Sequence, residues 1–246
     1  MHPHIGNQDW VTTYGLFLVL ALSTCWWLAR RNAGAAGIDR SHIDLVLPLS
    51  MAVGLVGVST LFDGKVTLIP LILICVTALF FYARLTRLSF LALVDIFALP
   101  TIVALMIQRV GCFLAGCCWG EVAAHELTWL TVQFPVGSFA YEQHLAAGLI
   151  AADAIESLPV HPTQLYEAVL LVPLILVLKK AGIDRLPRGS VTLAAIAGYT
   201  FVRFFNEFLR ADTSVFAGSL TVTQLLCAGL FLGSVTVLRM NTNALY

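Results

Sequence analysis

The apolar runs constrain this chain more than any other feature. Stretches of about 20 mostly apolar residues, the length a helix needs to cross a hydrocarbon core, recur at 10–29, 43–62, 66–83, 88–108, 163–178, 190–209 and 220–238. They predict an all-α, polytopic integral membrane protein with about seven transmembrane helices, forming a single membrane domain over residues 1–246. Composition agrees: 59% of the residues are hydrophobic and 11% charged, too little charge for a soluble surface. Pro70, Pro100 and Pro173 fall inside these runs, where neighbouring helices can satisfy the carbonyls a proline frees. The opening MHPHIGNQDW lacks the positive region of a secretory signal, so the first run is expected to remain as a span.

Lysine and arginine set the orientation, because they collect in cytoplasmic loops. Arg30, Arg31, Arg40, Arg84, Arg87, Lys179, Lys180, Arg185, Arg188 and Arg239, ten of the 14 basic residues, fall on one side of this arrangement. The N-terminus is then expected outside, the C-terminus inside, and 110–162 as an external segment between spans four and five. Trp129, Phe134 and Tyr141 suggest that this segment is ordered and amphipathic. The formal net charge is zero, which gives no reason to expect a nucleic-acid partner.

Lys65, Arg109, Arg203 and Arg210 break the charge rule. Lys65 reads as a solvated turn residue in DGK. The three arginines stand at the outer ends of spans or inside them, where an unpaired guanidinium is costly. In GYTFVRFFNEFLR, Tyr199, Arg203, Asn206, Glu207 and Arg210 fall on one helical face. Arg203 and Glu207 stand at i, i+4 and can pair across one turn. Two arginines against one glutamate leave positive charge for an anionic ligand. HPTQLYEA, residues 161–168, opens span five; Pro162 suits the first turn, and Gln164, Tyr166 and Glu167 are expected to project from the outermost turn. In QRVGCFLAGCCWGE, Arg109 ends span four, and Gly111, Gly116 and Gly120 suit a loop that approaches a headgroup closely.

RVGCFLAGCCWG, HPTQLYEA and GYTFVRFFNEFLRAD, in that order, resemble the prolipoprotein diacylglyceryl transferases of bacterial inner membranes, and TVTQLL at 221–226 is similar to the start of the family's last span. The resemblance implies transfer of the diacylglyceryl group of phosphatidylglycerol, as a thioether, to the lipobox cysteine of a preprolipoprotein or another thiol or nucleophile. Glycerol phosphate is released, and no cofactor and no metal are expected. On this reading Arg109, Arg203, Glu207, Tyr199 and His161 are catalytic. Arg210, Gly111, Gly116, Gly120, Gln164, Tyr166, Glu167 and Asn206 bind substrate, in a multi-pass protein among membrane lipids.

The chain departs from the family signature, which has asparagine at the positions of Cys112 and Ala115 and glutamate at that of Cys117. Its His-Gly-Gly element corresponds here to LFDGK, with Phe62 and Asp63 and no histidine, so the usual base is missing; His161 is one substitute, and an acceptor that arrives ionised is another. Cys112, Cys117 and Cys118 can be bridged, reactive or merely packed; C-x₄-C-C matches no common metal-ligand spacing. Two other classes stay open: a headgroup-binding membrane protein without catalysis, and a membrane thiol-disulfide oxidoreductase.

Overall fold

The computed structural model describes residues 13–61, 68–123, 130–183, 185–211, 215–217 and 220–243. Each of the seven apolar runs forms a helix: α1 Thr13–Ala35, α2 Arg40–Leu61, α3 Leu68–Thr86, α4 Phe90–Ala115, α6 Thr163–Ala181, α7 Ser190–Asn206 and α8 Val222–Asn243. A short helix, α5 Phe139–Ala146, lies in the segment between α4 and α6. A small antiparallel pair, β1 Val215–Ala217 and β2 Leu220–Thr221, leads into α8. Among the described residues, three helices are long and apolar enough to cross a membrane: Thr13–Ala35, Phe90–Ala115 and Val222–Asn241. Their outward residues are apolar, including Val19, Leu20, Leu91, Leu230 and Leu232. In water such faces would be a standing liability. The chain is a membrane protein.

α4 is the central helix, packed against α1, α3, α6 and α7. The buried residues of α1 include Ala21, Cys25, Ala29 and Ala33, small side chains every fourth position. That stripe lets two backbones approach closely where lipid supplies no hydrophobic drive. At Gly111 of α4 an added Cβ would stand 2.5 Å from Cβ of Phe17 of α1. Pro100 leaves the carbonyl of Ile96 without its helical donor, and Asn32 of α1 supplies one, Nδ2 to O at 3.1 Å. The packing between α4, α6 and α7 buries Ala98, Ile102, Leu171, Leu178, Val191, Ala195 and Val202.

The sequence reading ends span four at 108 and begins a loop at 110; the helix instead runs on to Ala115. Nothing in VGCFLA stops it, and the stop comes at Gly116, left-handed at φ 69°, whose N–H reaches the carbonyls of Cys112 and Phe113. Arg109, Gly111 and Cys112 are therefore helical.

Asp95 of α4, 1% exposed, was missed by the sequence reading. Its carboxylate accepts from Gly189 N (2.5 Å), Thr192 N (2.8 Å) and Thr192 Oγ1 (2.7 Å). It thereby caps the start of α7 from another helix. Asp95→Ala orphans one buried and one half-buried amide, so thermal unfolding in micelles is expected to show a loss of about 2–3 kcal/mol, with Asp95→Asn intermediate.

Candidate active site

The polar face read from GYTFVRFFNEFLR holds as far as Asn206. There α7 ends, Glu207–Leu209 tightens into a 3-10 turn, and Arg210 is extended at φ −89°, ψ 133°. The expectation that Arg210 shares the helical face is thus corrected. The cause is Gly120: it pairs with Arg210 as an antiparallel bridge, donates its N–H to the His161 carbonyl at 2.8 Å, and is followed by Glu121 N to Leu209 O at 2.9 Å. A Cβ at 120 would stand 2.5 Å from the Leu209 carbonyl oxygen and 2.8 Å from that of His161. Backbone on two sides leaves room only for glycine. This residue ties the ends of α4, α6 and α7 together.

An ion cluster sits where those ends meet. Glu167 of α6, fully buried, pairs through Oε1 with Arg109 Nε at 2.9 Å and through Oε2 with Arg203 Nη1 at 3.5 Å. Asn206 Nδ2 donates to the same Oε2 at 3.0 Å. Arg203 Nη2 reaches Glu207 Oε2 at 2.7 Å, the i, i+4 pair expected, and Arg210 Nε stands 3.8 Å from that oxygen. Tyr199 of α7 packs against the apolar core between α4, α6 and α7. Three guanidiniums thus stand among two carboxylates, with one positive charge in excess. Glu167 was expected to project from the outermost turn of its helix; it is the hub.

Thr221 and Gln224 also belong here and were not assigned roles from sequence. Thr221 Oγ1 donates to Glu207 Oε1 at 3.3 Å, and Gln224 closes a cap on Thr221, accepting its N–H through Oε1 at 2.9 Å. The only sequence signal was TVTQLL.

The remaining candidates lie to one side. His161 Nδ1 meets the Tyr166 hydroxyl at 3.2 Å, and that hydroxyl donates to the Leu130 carbonyl at 2.8 Å. Gln164, 1% exposed, donates Nε2 to the Cys117 carbonyl at 2.6 Å; Thr163 Oγ1 donates to that of Cys118 at 2.9 Å. The first turn of α6 therefore fastens the cysteine loop. Gly116 faces the cap, since an added Cβ would stand 2.8 Å from Cβ of Ser138. Phe62, Asp63, Lys65 and Trp129 lie outside the described residues.

Cys112, Cys117 and Cys118 are free thiols, not a disulfide, and their sulfurs all lie within 4.8 Å of one another. The sequence spacing gave no hint of this. The left-handed turn at Gly116, followed by Cys118 at φ 61°, folds the chain back onto the last turn of α4. The Cys118 thiol is held well below the ordinary thiol value, first by the adjoining Cys112 and Cys117 thiols, then by Arg210 and Arg109.

Beyond the cysteines a cap buries Trp119, Phe134, Ala140 and Val160 together. His144 of α5, 5% exposed, accepts the Leu158 N–H on Nδ1 at 3.2 Å and meets Trp119 edge-on. Burial lowers its pKa from the ordinary 6.5. The unfolded cap binds a proton more readily, so the stability present above 6.5 falls as pH drops below it. Denaturant titration followed by tryptophan fluorescence is expected to give a lower midpoint at about pH 5 than at about pH 7.5, and His144→Asn is expected to flatten that difference.

A family model described as prolipoprotein diacylglyceryl transferase matches residues 71–240. Among similar curated proteins, one from Geobacter sulfurreducens is 28% identical, covering 91% of this chain and 88% of its own length. One from Vibrio vulnificus is 26% identical over 93% and 86%, and one from Vibrio cholerae 29% identical over 88% and 82%. All three are named phosphatidylglycerol–prolipoprotein diacylglyceryl transferase. A match over this much of the chain is decisive: the chain belongs to the prolipoprotein diacylglyceryl transferase family.

Proposed function

We propose that the chain is a transferase of the bacterial inner membrane that moves the diacylglyceryl group of phosphatidylglycerol to the lipobox cysteine of a preprolipoprotein and releases glycerol phosphate. The relatives' names support this, and one observation carries it: a buried cluster of three arginines and two glutamates with positive charge in excess, at the meeting of α4, α6 and α7. The acceptor sulfur attacks the sp³ carbon that carries the phosphate. An S–C bond forms, the C–O bond breaks, and the electron pair leaves on the phosphate oxygen.

Preorganised positive charge is what such a leaving group needs, because it acts where charge develops in a water-poor site. Arg109, Arg203 and Arg210 hold the phosphate, with guanidinium forks suited to two oxygens at once. Glu167, Glu207, Tyr199 and Asn206 keep the forks aimed. Gly111, Gly116, Gly120, Gln164 and Tyr166 fix the helix ends and loop that surround the cluster, and His161 is the imidazole available for the acceptor proton. All seven long helices span the bilayer in this reading, with the N-terminus outside, the C-terminus inside and 110–162 as the external part of one membrane domain.

The test supplies purified protein with a lipobox peptide in vesicles containing either phosphatidylglycerol or phosphatidylethanolamine, and follows the peptide by mass spectrometry. The expected result is a diacylglyceryl mass gain with phosphatidylglycerol alone, absent for a Cys→Ser peptide. An unmodified peptide in both vesicles contradicts the proposal.

A further inference from the structure

The transferase chemistry leaves the thiols of Cys112, Cys117 and Cys118 without a role. The arginines hold a phosphate without it, and the family signature has other residue types at two of its three positions. What remains is a geometric fact: three sulfurs from Cys112, Cys117 and Cys118, unbridged, all within 4.8 Å of one another.

A tetrahedral zinc ion holds thiolates at about 2.3 Å, which sets the sulfurs about 3.8 Å apart. The widest pair here needs to close by no more than about 1 Å. The loop is fastened by its backbone: the Cys117 and Cys118 carbonyls receive Gln164 and Thr163. Such outer contacts fix the direction of metal ligands. Among the described residues no fourth histidine, cysteine, aspartate or glutamate joins the set. Sites with three protein ligands and one open position are the catalytic kind, whereas structural zinc sites are closed by four. Cys117 and Cys118 also line a cavity of about 560 Å³, bounded by Trp119, Phe139, Glu142 and Gln143.

We infer that Cys112, Cys117 and Cys118 form a site for one zinc ion, with its fourth position left open for the acceptor's thiol. The site itself stands on the cysteine geometry; the role of the open position rests on the transferase reading above. Coordination deprotonates a thiol outright, with the proton released to water. The metal-bound sulfur then supplies the electron pair for the new S–C bond, while the phosphate oxygen takes the pair from the broken C–O bond. This accounts for a chain that lacks the family's usual histidine yet keeps the arginine cluster.

The experiment uses the purified full chain in detergent, reduced and stripped of metal, titrated with zinc(II), and separately with cobalt(II) as a spectroscopic probe. The expected results are saturation at one zinc per chain, a thiolate-to-cobalt charge-transfer band, and at least a tenfold loss of affinity in each of Cys112→Ser, Cys117→Ser and Cys118→Ser. Cys25→Ser and Cys227→Ser, which lie outside the three-sulfur group, should bind as the parent does. Circular dichroism and thermal unfolding of each variant separate lost ligation from lost folding. Addition of the lipobox peptide should alter the cobalt spectrum, and its Cys→Ser form should not.

Failure to saturate at one equivalent, or affinity undiminished when all three cysteines are serine, overturns the site. A cobalt spectrum indifferent to the cysteine peptide overturns the open position, as does full transfer by the metal-free protein. Stoichiometric zinc binding with no transfer under any metal loading leaves the site standing and removes the transferase reading instead.

Discussion

Glu167→Gln is expected to lower folding stability by about 3–5 kcal/mol, because it removes one partner of buried ion pairs, leaving Arg109 without its carboxylate and Arg203 with Glu207 alone. Arg109 and Arg203 both lean on this carboxylate, whose side chain is 1% exposed. Glutamine keeps the shape and one carbonyl acceptor, so the variant tests charge rather than volume. Transfer should fall by about 100-fold or more, since both forks lose their aim. Thermal unfolding in micelles reads the first effect and peptide lipidation the second. If stability and transfer both stay near the parent's, Glu167 is not the hub of the cluster.

The second large effect is at Arg203, which bridges Glu167 and Glu207. Arg203→Ala is expected to reduce transfer about 100- to 1000-fold, the usual consequence of deleting a group aimed at developing charge. Arg203→Lys separates charge from geometry. An ammonium keeps the charge but cannot present a planar fork to two carboxylates and a phosphate, so a substantial deficit should remain. The loss should fall mainly on kcat, since the interaction is strongest as the phosphate departs. Rescue of kcat by lysine would contradict the fork argument.

The helices were legible in sequence because a long apolar run is a direct signal, read locally with no knowledge of partners. Arg203 and Glu207 were legible for the same reason, one helical turn apart. Features that depend on distant elements were not. Glu167 reads as an interfacial residue from HPTQLYEA alone, because Arg109 and Arg203 come to it from two other helices. Asp95 reads as a stray acid near the start of α4 until Gly189 and Thr192 are brought to it. The continuation of α4 through Gly111 was hidden because glycine in sequence does not say whether it is needed for a turn or for Phe17. Arg210 was assigned to the α7 face by extrapolating a period past the point where pairing with Gly120 ends the helix. The convergence of the three thiols depends on left-handed residues at 116 and 118, which the spacing of the cysteines does not encode.

On the proposed mechanism, one arginine–glutamate cluster couples departure of the phosphate to capture of the diacylglyceryl carbon by sulfur. The most direct measurement follows glycerol phosphate and lipidated peptide in the same reaction, with parent protein and with Arg203→Ala. The account predicts equimolar products from the parent and loss of both together in the variant. Glycerol phosphate released without lipidated peptide, or lipidation that survives Arg203→Ala undiminished, would contradict it.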